Sequence, residues 1–139
     1  MNRLIWIGLI GALCAFLLSC HSGPKPFFDV PVSVNNCDTG ADVTISISAM
    51  NQVKWTAVDS NYTLVFPPSG TSNPSPGTPF QNAAGQPVFS FPVNKGSTVA
   101  SGPGHVKGYF KYNIYATAFA GNPPTGTAPC KDPGLHVKD

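Results

Sequence analysis

The residues best equipped for chemistry are four cysteines, Cys14, Cys20, Cys37 and Cys130, and three histidines, His21, His105 and His136. A thiolate with two imidazoles is a copper donor set, so His105, Cys130 and His136 can be composed into a copper site. Three features oppose it: the alternation of "LHVK" turns His136 outward, Cys130 has a ready partner in Cys37, and no Met follows as axial ligand. Hydrolytic chemistry finds less support. Ser101 and His105 share the stretch "SGPGHV", which lacks the G-x-S-x-G elbow that exposes a nucleophilic serine. There is no Glu, and Asp29, Asp38, Asp42, Asp59, Asp132 and Asp139 stand mostly in turns, where Asp bonds its own backbone, rather than as a carboxylate pair flanking a cleft. No enzymatic activity is expected.

The four cysteines are sorted by their surroundings. "MNRLIWIGLIGALCAFLLSC" carries one cation, Arg3, and then an apolar run from Leu4 to Leu18. At about fifteen residues the run is short of a bilayer span and suits the hydrophobic region of a signal peptide. It ends in Leu17-Leu18-Ser19-Cys20, followed by the polar, Pro- and Gly-bearing "HSGPKP". This ending resembles the lipobox of bacterial lipoproteins. The resemblance implies that residues 1–19 are a lipoprotein signal peptide, that Cys20 receives a diacylglyceryl thioether, and that the new amino terminus is acylated with a chain such as palmitate. Several acyl chains anchor stably where one is marginal. His21 after the cysteine is not the Asp that specifies inner-membrane retention, which favours the outer membrane, with the domain in the periplasm or at the cell surface.

With Cys14 discarded and Cys20 acylated, Cys37 and Cys130 remain, and an exported chain meets an oxidising compartment. A disulfide between them is expected. It closes a loop on the order of 90 residues, for which the chain-entropy relation gives about 4–5 kcal/mol.

Composition sets the fold class. Charged residues are 10% of the chain, while 15 Pro and 14 Gly punctuate a background rich in Val, Ile, Thr, Tyr and Phe. That is the composition of an all-β protein. The net charge of +2 is scattered, so no basic stripe marks a nucleic-acid partner.

After a tether over residues 20–28, period-two alternation predicts short strands at "VPVSV", "VTISIS", "QVKWTAV", "NYTLVF", "VFSFPV" and "LHVK", with the longest at "YFKYNIYATAF". About seven strands over residues 29–139 indicate a sandwich. Inward positions on the longest strand are Phe110, Tyr112, Ile114, Ala116 and Ala118, which leaves Tyr109 and Tyr115 outward. The stretches from Pro67 to Pro87 and "NKGSTVASGPGH" are expected as loops. The first of these is long enough to be a contact element for an envelope protein or glycan.

The order of these pieces resembles a cupredoxin, the Greek-key sandwich of plastocyanin and azurin. "VKWTAVDSNYTLVF" is similar to the V-x-W segment leading to a copper-binding His, "GHVKGYFKYNI" to the aromatic approach to a copper-binding Cys, and "DPGLHVK" to the closing strand. Trp55, Gly108, Phe110, Tyr112 and Gly134 carry the likeness. On those positions Tyr62 stands near the place of the first His and Ile114 in the place of the Cys, and no Met or His follows at ligand distance. The resemblance therefore implies the architecture without the metal: a membrane-anchored lipoprotein with a metal-free domain in a binding or structural role. A periplasmic copper redox or chaperone protein is the alternative.

Overall fold

The structure, a computed structural model, describes residues 25–67 and 77–139. The expected signal peptide, Cys20, residues 20–24 of the tether and residues 68–76 of the long loop lie outside the described residues. Among the described residues nine strands are formed: β1 (Phe28–Val34), β2 (Val43–Ser46), β3 (Asn51–Ala57), β4 (Tyr62–Val65), β5 (Ser90–Val93), β6 (Thr98–Pro103), β7 (Gly108–Lys111), β8 (Asn113–Tyr115) and β9 (Gly134–Lys138). They hydrogen-bond in the orders β1-β3-β6, β2-β9-β7 and β5-β4-β8. The described residues contain no helix.

The layers follow from side-chain alternation. Val53, Trp55 and Ala57 of β3 are fully buried, as are Leu64 and Phe66 on the β4 side, and Tyr112 and Ile114 around β8. Trp55 lies at the centre, its ring 5.1 Å from Phe91, 5.8 Å from Tyr112 and 6.0 Å from Phe80. Tilted and edge-on aromatic contacts at such spacings add to the free energy of burial. The β1-β3-β6 sheet thus faces the strands that carry Phe66, Phe91 and Tyr112 across one aromatic core.

The segment predicted as one long strand is divided at Tyr112. β7 pairs antiparallel with β9, whereas β8 leaves to pair with β4. Tyr112 is the pivot: its ring is buried and its N–H donates to the Pro133 carbonyl at 3.1 Å. The pairing ends at Tyr115, so Ala116 and Ala118 are exposed, and Tyr115, read as outward, is buried under Phe119 at a ring spacing of 5.3 Å. Alternation alone does not register this exchange of partners, because both halves keep the same face inward.

Thr98–Pro103, read as loop, is the strand β6, antiparallel to β3. Its register shifts between Gln52 and Lys54, and there the Ser101 hydroxyl accepts the Val53 N–H at 2.9 Å. Ser101 is buried and also donates to the Gly102 carbonyl at 2.6 Å, so its hydroxyl serves a bulge. Within the stretch read as a contact loop, Phe80 is fully buried and bridges to Gly104, while Gln81 bridges to Pro87. That half of the stretch is therefore anchored by a core plug. β1 begins at Phe28, one residue inside the expected tether.

Candidate functional site, the disulfide pole

β1 and β3 run parallel, with Phe28 opposite Asn51 at one end and Val34 opposite Ala57 at the other. The second end carries the groups that the sequence singled out. After β1 the chain reverses at once: Asn35 and Asp38 exchange two backbone hydrogen bonds of 3.0 Å, with Asn36 at φ 49° and Cys37 at φ 58° between them. Two central residues with positive φ define the hairpin turn that usually carries Asn-Gly. Here a cysteine holds the glycine position, and the left-handed backbone costs an L-residue roughly 1 kcal/mol.

Cys37 is disulfide-bonded to Cys130, with the Cα atoms 6.1 Å apart and a sequence separation of 93. The expected pairing is present. Both partners are held on the backbone side. The Cys130 N–H donates to the Ile114 carbonyl at 2.8 Å, and the Ile114 N–H donates to the Lys131 carbonyl at 2.8 Å. The Cys37 N–H donates to the Tyr62 hydroxyl at 3.0 Å. That hydroxyl donates in turn to Asp59 Oδ1 at 2.7 Å, while Asp59 Oδ2 accepts the Asn36 N–H at 3.0 Å. Lys131 Nζ lies 3.2 Å from Asp38 Oδ2 beside the turn.

The electrostatics agree with this geometry. The Tyr62 hydrogen bond leads the effects that hold the Asp59 carboxyl below its ordinary 3.8, with the Asn36 N–H adding to it. Burial pushes the Tyr62 phenol above its ordinary 10.0, and the Asp59 charge acts in the same direction. The Asp38 carboxyl is held low first by the Gly40 N–H and then by Lys131.

Tyr62 and Ile114, the residues standing where the resemblance places copper ligands, both reach this pole. Ile114 is buried hydrocarbon and offers only its carbonyl, which the Cys130 N–H already occupies. Tyr62 has its hydroxyl engaged on both sides, and the two thiols are joined to each other. These residues do not fit a blue-copper donor set, which needs imidazoles and a free thiolate. Nor are His105, Cys130 and His136 gathered: no group of three His, Cys, Asp or Glu side chains among the described residues could hold a metal ion. His105 is exposed in the turn after β6, its N–H bonded to the Pro79 carbonyl at 2.8 Å.

His136 belongs to a separate outer cluster. Its ring lies 4.4 Å from that of Tyr109, whose hydroxyl donates to Asp42 Oδ2 at 3.0 Å. Asp42 Oδ1 accepts the Gly134 N–H at 2.8 Å, and this bond is the first cause of its lowered carboxyl value. A methyl group at Gly134 would stand 2.5 Å from the Tyr109 ring, so a larger residue there would push Tyr109 and Asp42 out of this cluster. The cluster clamps β9 between β2 and β7.

The sequence did not single out Asp59 as the carboxylate beneath the turn. The signal available was the run "NNCD", because a cysteine at a left-handed hairpin position needs its neighbouring N–H groups bonded from outside the turn.

No family model matches this chain, and no curated protein matches it. Among solved structures it is similar to the reduced Cu(I) form, at pH 4, of a proline-to-glycine mutant of amicyanin. The two share 9% sequence identity at a TM-score of 0.51, over 79% of this chain and 82% of that one. At that identity the likeness is one of fold, and the fold of this protein is the cupredoxin-like β-sandwich.

Proposed function

We propose that the chain is a bacterial lipoprotein, tethered through Cys20 to the outer membrane, whose cupredoxin-like domain has a binding or structural role in the cell envelope and does not carry copper. The observation that carries the metal-free part is the occupation of the disulfide pole. Tyr62, Ile114, Cys37 and Cys130 meet there, and each uses its polar capacity on another part of the chain. The disulfide itself supports export, since such bonds persist in oxidising compartments. A sandwich closed by a long-range crosslink and an aromatic core is suited to presenting surface to an envelope protein or glycan.

Two measurements test the reading. Cys20→Ala in the full chain releases the protein from membranes, and mass spectrometry finds acyl chains on the wild-type Cys20. Membrane retention of Cys20→Ala overturns the anchor. The purified protein shows no free thiol and takes up no copper under oxidising conditions. A stoichiometric thiolate-to-copper absorption band overturns the metal-free reading and favours a redox or copper-chaperone role.

A further inference from the structure

The pole opposite the disulfide collects exposed apolar residues. Phe27, Phe28 and Val106 are 46%, 61% and 49% exposed. All three lie at the same end of the sandwich. Phe28 opens β1, opposite Asn51, and Pro103 at the end of β6 pairs with Gln52, one residue along, which places the following His105 and Val106 at this pole. Phe27, Pro103 and His105 border a single recess. Exposed Lys25, Lys107 and Lys138 stand at the same end, with Lys107 paired to Asp139.

This end is also where the chain arrives from Cys20. Seven residue steps separate Cys20 from Phe27, and a chain of that length reaches about 25 Å at most. β1 then carries the chain about 20 Å to the far pole. A leash attached next to Phe27 keeps that end within reach of the surface that holds the lipid in every orientation, whereas the disulfide end meets the surface only when the leash is stretched nearly to its limit. Exposed Phe side chains insert at the boundary of headgroups and acyl chains, and lysines beside them favour anionic lipid.

We infer that this pole is a membrane-docking face: Phe27, Phe28 and Val106 rest in the headgroup layer of the bilayer that holds Cys20, and the disulfide pole points away from it. The inference rests on the anchor proposed above. With lipid on Cys20 the local concentration is high, so a small apolar patch suffices to orient the domain.

The test uses the full, lipid-modified chain in vesicles of phosphatidylethanolamine and phosphatidylglycerol with brominated acyl chains. Phe27→Trp places a reporter at the docking pole. Val58→Trp places one at the opposite pole, where Val58 is 48% exposed and its N–H meets the Val34 carbonyl. Trp55, buried in the core, is the shared background once cleavage before Cys20 has removed Trp6. The Phe27→Trp protein is expected to lose at least about twice as much emission as Val58→Trp, because bromine quenches only at contact range and the poles are about 20 Å apart. Equal quenching of both, or of neither, with acyl chains on Cys20 by mass, overturns the docking face alone. An unmodified Cys20 removes the leash and overturns the anchor and the docking face together.

Discussion

The phenol of Tyr62 accepts the Cys37 N–H at 3.0 Å and donates to Asp59 at 2.7 Å, so a core tyrosine holds in place the turn that carries half of the disulfide. The Tyr62 ring is buried and its hydroxyl hydrogen-bonds the turn's backbone. Removing that oxygen tests the coupling between core and turn without emptying the core.

Tyr62→Phe is expected to lower unfolding free energy by about 1–2 kcal/mol, the cost of leaving a part-buried N–H without its partner. Denaturant titration should show the midpoint falling at unchanged slope. An unshifted midpoint would mean that the turn holds itself.

The left-handed Cys37 gives a sharper comparison. Opening the crosslink should cost about 2–5 kcal/mol in either of two double variants, Cys37→Ala/Cys130→Ser and Cys37→Gly/Cys130→Ser. The glycine version should be the more stable by about 1 kcal/mol, because glycine enters positive φ without a Cβ penalty. Thermal or denaturant unfolding of the pair reads the difference directly. If the alanine version is the more stable, the turn does not keep its conformation once the crosslink is gone.

Phe80 shows where sequence patterning stops. It stands in a stretch rich in Pro, Gly and Ser with no alternation around it, yet its ring packs edge-on against Trp55, Phe66 and Phe91. Period-two reading recovers β1 and β3, because their burial is local and regular. It also recovers the inward set Phe110, Tyr112 and Ile114. It does not recover Phe80, whose burial comes from rings distant in sequence, or β6, where Gly102 and Ser101 blur the pattern of a strand paired across a bulge. The disulfide was legible because cysteine counting needs no geometry, and Asp59 was not, because its partners are backbone N–H groups.

Phe80→Ala should therefore behave as a core truncation and not as a loop change, costing about 3–5 kcal/mol. A loop substitution would fall within roughly ±0.5 kcal/mol. The midpoint of reversible unfolding distinguishes the two by a wide margin.

The acid and alkaline limbs of stability have different owners. Asp29, Asp38, Asp42 and Asp59 are all held below their ordinary 3.8 in the fold, by Lys54, the Gly40 N–H, the Gly134 N–H and the Tyr62 phenol respectively as first cause. A carboxyl with a lowered folded value binds fewer protons in the native than in the unfolded chain. Its stabilisation is therefore present above the unfolded value and is lost as pH falls below about 4 through the folded one. Tyr62 and Tyr112 have the opposite sign: burial raises both phenols above 10.0, the folded state keeps the proton longer, and stability falls as pH climbs past that value. Stability should be level between these limits. Asp59→Asn should flatten part of the acid limb and only soften the alkaline limb, since burial, the first cause of the raised Tyr62 phenol, remains, whereas Tyr62→Phe should flatten part of both, since it removes the titrating phenol and the first cause of the Asp59 shift. Unfolding midpoints measured in steps from pH 2 to pH 11 separate the two variants, and an acid limb unchanged in Asp59→Asn would show that the carboxylate beneath the turn does not hold it.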